Sequence, residues 1–260
     1  MYGAAPIGAA FVFLAMPDKR KHRGQHPADA HLFDASQLPA LQQGVRDLSW
    51  LLTHGYTEGA AIKLVGDRYR LQSRQRQAVC RCACSRQSAA LRRARLLPPE
   101  ALRGQTLCID GFNLLITIES ALSGGILLEG VDGCWRDLAS IHGSYRRVIE
   151  TEPAILLAGQ ALQMLGIAQA VWYLDRPVSN SGRLKQALLE AAAAQGWPWE
   201  VELLYNPDQA LKDSPAPAAS ADSVVLDHAA AWFNLARYII ERSVPQAEIL
   251  PLGALVALGE

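Results

Sequence analysis

The stretch CIDGFNLLITIESAL, residues 108 to 122, opens as a buried strand, yet an aspartate interrupts it at Asp110, followed at once by Gly111 and then by Asn113. A carboxylate left unpaired at the end of an apolar strand is costly unless something compensates it. Working outward, short apolar runs alternate with helical segments. A strand is expected at 106–110, helices at about 135–150 and 152–165, and a strand at 169–174. A helix at 182–195, a strand at 199–205, a helix at 221–242 and a last strand at 247–252 follow. This alternation predicts an α/β domain over 106–255, a mostly parallel sheet sandwiched by helices.

In an open parallel sheet, ligands sit beyond the carboxyl ends of the strands. Asp110 falls there after TLCI, and Asp175 falls at the equivalent place after AVWYL. Asp222 stands in SADSVVLD, at a loop-to-helix junction. Three carboxylates gathered from three strand ends repel unless a cation neutralises them, and an oxygen shell selects Mg²⁺ or Mn²⁺. Each acid also has a plainer reading. Asp110 is able to cap the following helix, Asp175 to pair with Arg176 or Arg183, and Asp222 to sit at a helix start where negative charge is welcome.

Charge divides the chain. Residues 1–100 hold 15 Lys and Arg against 7 Asp and Glu, whereas 101–260 hold 10 against 18. The basic part reads as a small α-helical domain over 19–97, set off by the Pro/Gly-bearing LLPPEALRGQT (97–106). Leu38, Leu41, Val45, Leu48, Leu51 and Leu52 form one helical stripe. A turn is expected at Gly66–Asp67 and a long helix from about Ser73, with Ser73 as its N-cap. Arg68, Arg70, Arg74 and Arg76 cluster around Tyr69, and Arg23 stands in the basic lead-in. Guanidinium forks bind phosphate and an aromatic ring stacks a base, so RNA is the expected partner. The alternatives are a solvated face or docking against the acidic half. His22, His26 and His31 are too irregularly spaced for a metal site.

The five cysteines lack both a disulfide framework and zinc spacing, which implies reduced thiols in a cytoplasmic protein. Residues 1–18 read as an apolar, disordered extension with the wrong charge order for a secretory signal and no membrane span, and Met16 is an alternative start. Nothing in the sequence fixes an oligomeric state.

IDGFN resembles the first motif of the PIN and NYN nuclease superfamily, WYLD is similar to the second acidic strand end of the NYN branch, and Ser220-Ala221-Asp222 is similar to its Ser/Thr-x-Asp motif. This resemblance, over 106–245, implies a metal-dependent nuclease acting on RNA, with Asp110, Asp175 and Asp222 as metal ligands and Asn113 as a substrate contact. The fourth acid of that set has four competing matches, Asp137, Glu150, Glu152 and Asp227. The strand expected before Ser220 is replaced by SPAPAA. More narrowly, KHRGQHPAD, LLTHGY, LVGDRYRLQSRQRQAV and DGFNLLITIESAL resemble a two-part prokaryotic family, domain of unknown function 434 joined to domain of unknown function 5616, over about 19–253. Two further functions stay open: an RNA-binding or regulatory protein with an inactive acidic site, and a phosphotransferase or phosphatase on a small nucleotide, although no P-loop is present.

Overall fold

The computed structural model describes residues 22–139 and 145–254, so the N-terminal extension at 1–18 lies outside the described residues. Five helices come first: α1 (Asp29–Leu32), α2 (Leu38–Thr53), α3 (Glu58–Arg68), α4 (Ser73–Cys82) and α5 (Arg86–Arg95). The apolar stripe of α2 buries Leu41, Val45 and Leu48. α3 runs through Gly66–Asp67, where a turn was expected, because Ala61, Val65 and Gly66 share its buried face. The long helix expected from Ser73 is two helices. Ala83 turns extended, and Ser85 caps α5 by accepting a bond from the Ser88 N–H. The N-cap of α4 is Gln72, not Ser73, in a capping box with Gln75.

A short 3₁₀ turn at Pro99–Leu102 leads into the α/β part. Its elements are β1 (Thr106–Asp110), α6 (Gly111–Leu122), β2 (Leu127–Glu129), β3 (Trp135–Asp137), α7 (Thr151–Leu165), β4 (Gln169–Asp175) and α8 (Ser181–Gln195). β5 (Trp199–Leu204), α9 (Pro207–Asp213), β6 (Ala218–Ala219), α10 (Ser223–His228), α11 (Leu235–Ser243) and β7 (Ile249–Leu250) complete it. The main sheet has the order β5-β4-β1-β6 and is parallel throughout. Alternation along its strands builds two cores. Leu107, Ile109, Ala170, Trp172 and Leu174 face α6, α7 and α8, while Cys108 and Val171 face Leu211 of α9 and Val225 of α10. The α/β expectation therefore holds: helices cover both faces of a parallel sheet.

Three local expectations are corrected. Residues 135–150 are not one helix; 135–137 form β3, 145–148 belong to no helix or strand, and 140–144 lie outside the described residues. In β3, which pairs with β2, adjacent side chains go to different partners: Trp135 lies under the Arg237 guanidinium, Arg136 reaches the Ala221 carbonyl, and Asp137 meets Thr117. Residues 221–242 split into α10 and α11, because Trp232 leaves the helical path to bridge Leu96 and Ala218. The missing strand before Ser220 is present as β6, two residues paired with Cys108 and Ile109.

A second sheet, β3-β2-β7, ties the halves together. Its Leu128 and Leu250, with Ile126, Leu138 and Leu252, join Leu41, Val45, Ala78 and Val79 of the helical part in one core. Beside it, Asp132 is enclosed by two arginines, Arg92 Nη1 at 2.7 Å and Arg136 Nη2 at 2.6 Å. Burial alone pushes the Asp132 carboxyl up, but Arg136 and Arg92 outweigh it and hold the group well below the usual carboxylate range. Arg92 also reaches Asp227 at 2.7 Å, and Arg95 donates to the carbonyls of Asp227 and Ala229. Arginines of the basic half thus dock against the acidic half. Replacing Asp132 by Ala leaves two buried guanidiniums facing each other, and urea unfolding should register a loss of roughly 3–5 kcal/mol; a change under about 1 kcal/mol would show that the cluster is not a clamp.

Candidate functional site at the carboxyl edge of the sheet

Parallel pairing puts Asp110, the last residue of β1, and Asp175, the last of β4, at the same edge. Asp222 follows β6 by three residues and reaches that edge too. A fourth acid arrives from β5. Asp208 stands in the first turn of α9, after Asn206 and Pro207. None of the four competing matches is at the site. Asp137 accepts from Thr117 and faces Arg81, Glu150 meets His22, Glu152 pairs with Arg147, and Asp227 pairs with Arg92. Asp208 was legible only as an acid closely following a strand end, in YNPDQ.

The loop carrying Ser220 to Ser223 is fixed bond by bond. Ser220 Oγ donates to Asp110 Oδ2 at 2.8 Å and accepts from the Asp222 N–H at 3.0 Å. The Ala221 N–H donates to Asn113 Oδ1 at 2.9 Å, and the Ala221 carbonyl accepts from Arg136 Nε at 2.8 Å. The Ser223 carbonyl accepts from Arg92 at 3.2 Å. Asn113 is therefore not a solvated side chain; it clasps β1's helix to this loop. Asp110 does cap α6, through the Asn113 N–H at 3.3 Å, and Asp222 caps α10 through Val224 and Val225. The capping readings are thus correct as far as they go. Among the described residues Asp175 makes no ion pair, and Arg176 lies instead over the Tyr205 ring.

Gly111 serves close approach rather than a left-handed turn. A Cβ there would lie 2.5 Å from Leu174 Cδ2 and 3.1 Å from the Tyr173 carbonyl, so only glycine lets α6 start against β4.

The electrostatics set these acids apart. The other buried carboxylates, Asp29, Glu119, Asp132, Asp137 and Glu150, each face an arginine or a histidine. Asp110, 8% exposed, faces a hydroxyl and a backbone N–H. Burial pushes its carboxyl up to about 7; the Ser220 and Asn113 bonds oppose the rise, and Asp208 and Asp222 add to it. Asp175 is raised by partial desolvation and then by Asp208, and the more exposed Asp208 by partial desolvation and then by Asp222. The four carboxylates share one field. Among the described residues they enter no ion pair, and no group of three His, Cys, Asp or Glu side chains converges to hold a metal alone. Their all-oxygen chemistry and mutual repulsion still fit Mg²⁺ or Mn²⁺ held by one or two carboxylates, with water and substrate phosphate completing the shell, as Mg²⁺ commonly is.

The arginines expected to bind RNA divide. Arg23 pairs with buried Glu119 at 2.7 Å, Arg74 with buried Asp29 at 2.5 Å, and Arg76 with Asp67 at 2.7 Å. Arg68, 72% exposed, stands 3.7 Å from Asp47, and Arg70 is exposed in a left-handed backbone conformation with φ 52°. All five cysteines are free, and burial pushes the Cys80 and Cys84 thiols up to about 11 and Cys82 up to about 12. No helix of the described residues is long and apolar enough to cross a membrane.

Residues 99–238 match the family described as domain of unknown function DUF5616, and residues 40–95 match DUF434. The chain belongs to this two-part family. It is similar to a protein of Methanocaldococcus jannaschii named as uncharacterized, with 30% identity over 187 residues, which is 72% of this chain and 89% of that protein. No solved structure matches.

Because the folded state raises the Asp110 pKa, its contribution to stability is fully present below about pH 4 and is lost as pH rises through about 7. In metal-free buffer, Asp110→Asn should therefore unfold at higher denaturant than the parent at pH 8, by roughly 2–4 kcal/mol, and match it near pH 4. A variant less stable than the parent at both pH values would make Asp110 a structural cap alone.

Proposed function

We propose that this edge is the active site of a metal-dependent ribonuclease of the PIN/NYN-like kind, hydrolysing RNA phosphodiesters with Mg²⁺ or Mn²⁺. One observation carries the reading: Asp110 is a buried carboxylate with no cation partner among the described residues, and two further acids, Asp208 and Asp222, raise its pKa further. The motif order IDGFN, WYLD and SAD, on three parallel strands sharing one edge, supports it.

A bound divalent ion would supply Lewis-acid stabilisation of the phosphoryl oxygens and lower the pKa of a water. Asp110 and Asp222 would hold it, with Asp175 and Asp208 contributing through water. The chain's own part is positioning. Ser220 fixes the orientation of the Asp110 carboxylate, and Asn113 and Arg136 fix the loop that presents Asp222. Asn113 Oδ1 is occupied by the Ala221 N–H, so its amide nitrogen is the group left to meet a phosphate oxygen. The incomplete convergence of the acids favours one alternative, a protein that binds RNA without cutting it.

Incubating the purified chain with end-labelled single-stranded RNA separates the two. Cleavage should require Mn²⁺ or Mg²⁺, stop with EDTA, and fall roughly 100-fold or more in Asp110→Asn and Asp175→Asn. Asp208→Asn should lose less. Metal-independent cutting, or an Asp110→Asn variant as active as the parent, would refute the assignment.

A further inference from the structure

A basic cavity of about 990 Å³ lies between the lead-in at residues 22–29, α6, the segment 145–148 and the start of α8. We propose that it binds the phosphate backbone of a nucleic-acid strand next to the carboxyl edge. That the strand is RNA rests on the proposed function; the binding of phosphate does not.

Five arginines line the cavity, Arg23, Arg74, Arg146, Arg147 and Arg183, against one acid, Asp29. Arg23 and Arg74 are already paired, and they build the wall. Arg146 and Arg183 are exposed and pair with no carboxylate among the described residues. Arg147 reaches Glu152 through Nη2 at 2.7 Å, while its Nε is shielded from solvent and bonded to nothing. A buried N–H of a charged group without a partner is expensive, and a phosphate oxygen is the acceptor that a guanidinium fork matches best. α8 adds its positive end, since this 15-residue helix has no side-chain cap and no acid in its first turn.

Connectivity puts the α8 side of the cavity at the same edge as the acids, while Ser120, toward the other end of α6, lines its far side. β4 ends in Asp175, and the loop after it runs through Asn180 into α8 and Arg183. The Tyr145 N–H donates to the Ser179 carbonyl at 3.1 Å, and Asn180 Nδ2 donates to the Tyr145 carbonyl at 2.9 Å. These two bonds pin Arg146 and Arg147 to the loop that leaves Asp175. The cations are spread from the lead-in to α8, wider than a single phosphate needs, and no Phe, Tyr or Trp lines the cavity to stack a base. Backbone contacts without base readout make the binding tolerant of sequence.

The test is binding of labelled single-stranded RNA in EDTA, where no turnover complicates it. Arg146→Ala/Arg183→Ala removes two exposed side chains without partners, so its melting temperature should match the parent's. Its plot of log K against log salt should flatten by about 1.4, from about 0.7 per lost contact on a single strand. Asp110→Asn should bind at least as tightly as the parent. Unchanged affinity and slope in the double variant would overturn the proposal, and so would a mononucleotide or inorganic pyrophosphate binding as tightly as the strand. Lost binding in the double variant, with no cleavage by the parent in Mn²⁺, would uphold the cavity and sink the nuclease. Cleavage by the parent, with unchanged binding by the double variant, would do the reverse.

Discussion

The carboxylate of Asp132, enclosed by Arg92 and Arg136, is the contact on which the rest of the structure turns. Arg92 comes from the last helix of the basic half, Arg136 from the small second sheet, and both continue past Asp132 to the loop that carries Asp222. Arg136 holds the Ala221 carbonyl and Arg92 the Ser223 carbonyl. Two buried guanidiniums around one carboxylate are tolerable only because the remaining donors find Asp227 and these carbonyls. Part of the charge asymmetry between the halves is thus an internal complement, with Arg23, Arg81 and Arg92 pairing with acids of the acidic half. It joins the helical part to the α/β part and fixes the acidic loop in the same set of bonds.

That loop explains why the acidic edge costs stability and persists. Elsewhere the chain answers each buried acid with a cation: Arg74 for Asp29, Arg23 for Glu119, His22 for Glu150. At the carboxyl edge it answers Asp110 with a serine hydroxyl, and Asp175, Asp208 and Asp222 enter no ion pair among the described residues. A hydroxyl holds the orientation of a carboxylate while leaving its charge available to an external cation. An arginine in the same place would cancel it. The neighbouring cavity repeats the logic with the opposite sign, where Arg146 and Arg183 are cations without an acid partner among the described residues.

Much of this was readable from the chain alone, and the losses have physical causes. β1 and β4 were legible because an apolar run stops abruptly at Asp110 and at Asp175. α7, α8 and β5 followed from their periodicity. β6 was not, since two alanines after SPAP carry no strand signal; pairing with Cys108 and Ile109 makes them a strand. β3 was hidden because Trp135, Arg136 and Asp137 fit a helical pattern equally well, and the Arg237, Ala221 and Thr117 groups they meet lie far away in sequence. Asp208 was masked by four rival acids. Only their pairing with Arg81, His22, Arg147 and Arg92, contacts set by the tertiary fold, removes them from contention. Pairings invisible from spacing alone also occupy three arginines that look like phosphate ligands: Arg23 with Glu119 and Arg74 with Asp29, both far away in sequence, and Arg76 with Asp67, nine residues before it.

The ordinary fate of a buried carboxylate with a raised pKa is protonation, and at neutral pH Asp110 stands near that boundary. A divalent cation competes with the proton for the same charge. The most direct measurement is therefore Mn²⁺ binding at pH 7.5, read from the electron paramagnetic resonance signal of the free ion. If the carboxyl edge is a cation site, the parent chain takes up Mn²⁺ saturably, Asp110→Asn does not, and Glu58→Gln, an exposed acid in α3 of the helical part, binds as the parent does. Saturable uptake that survives Asp110→Asn, or none by the parent, would contradict it.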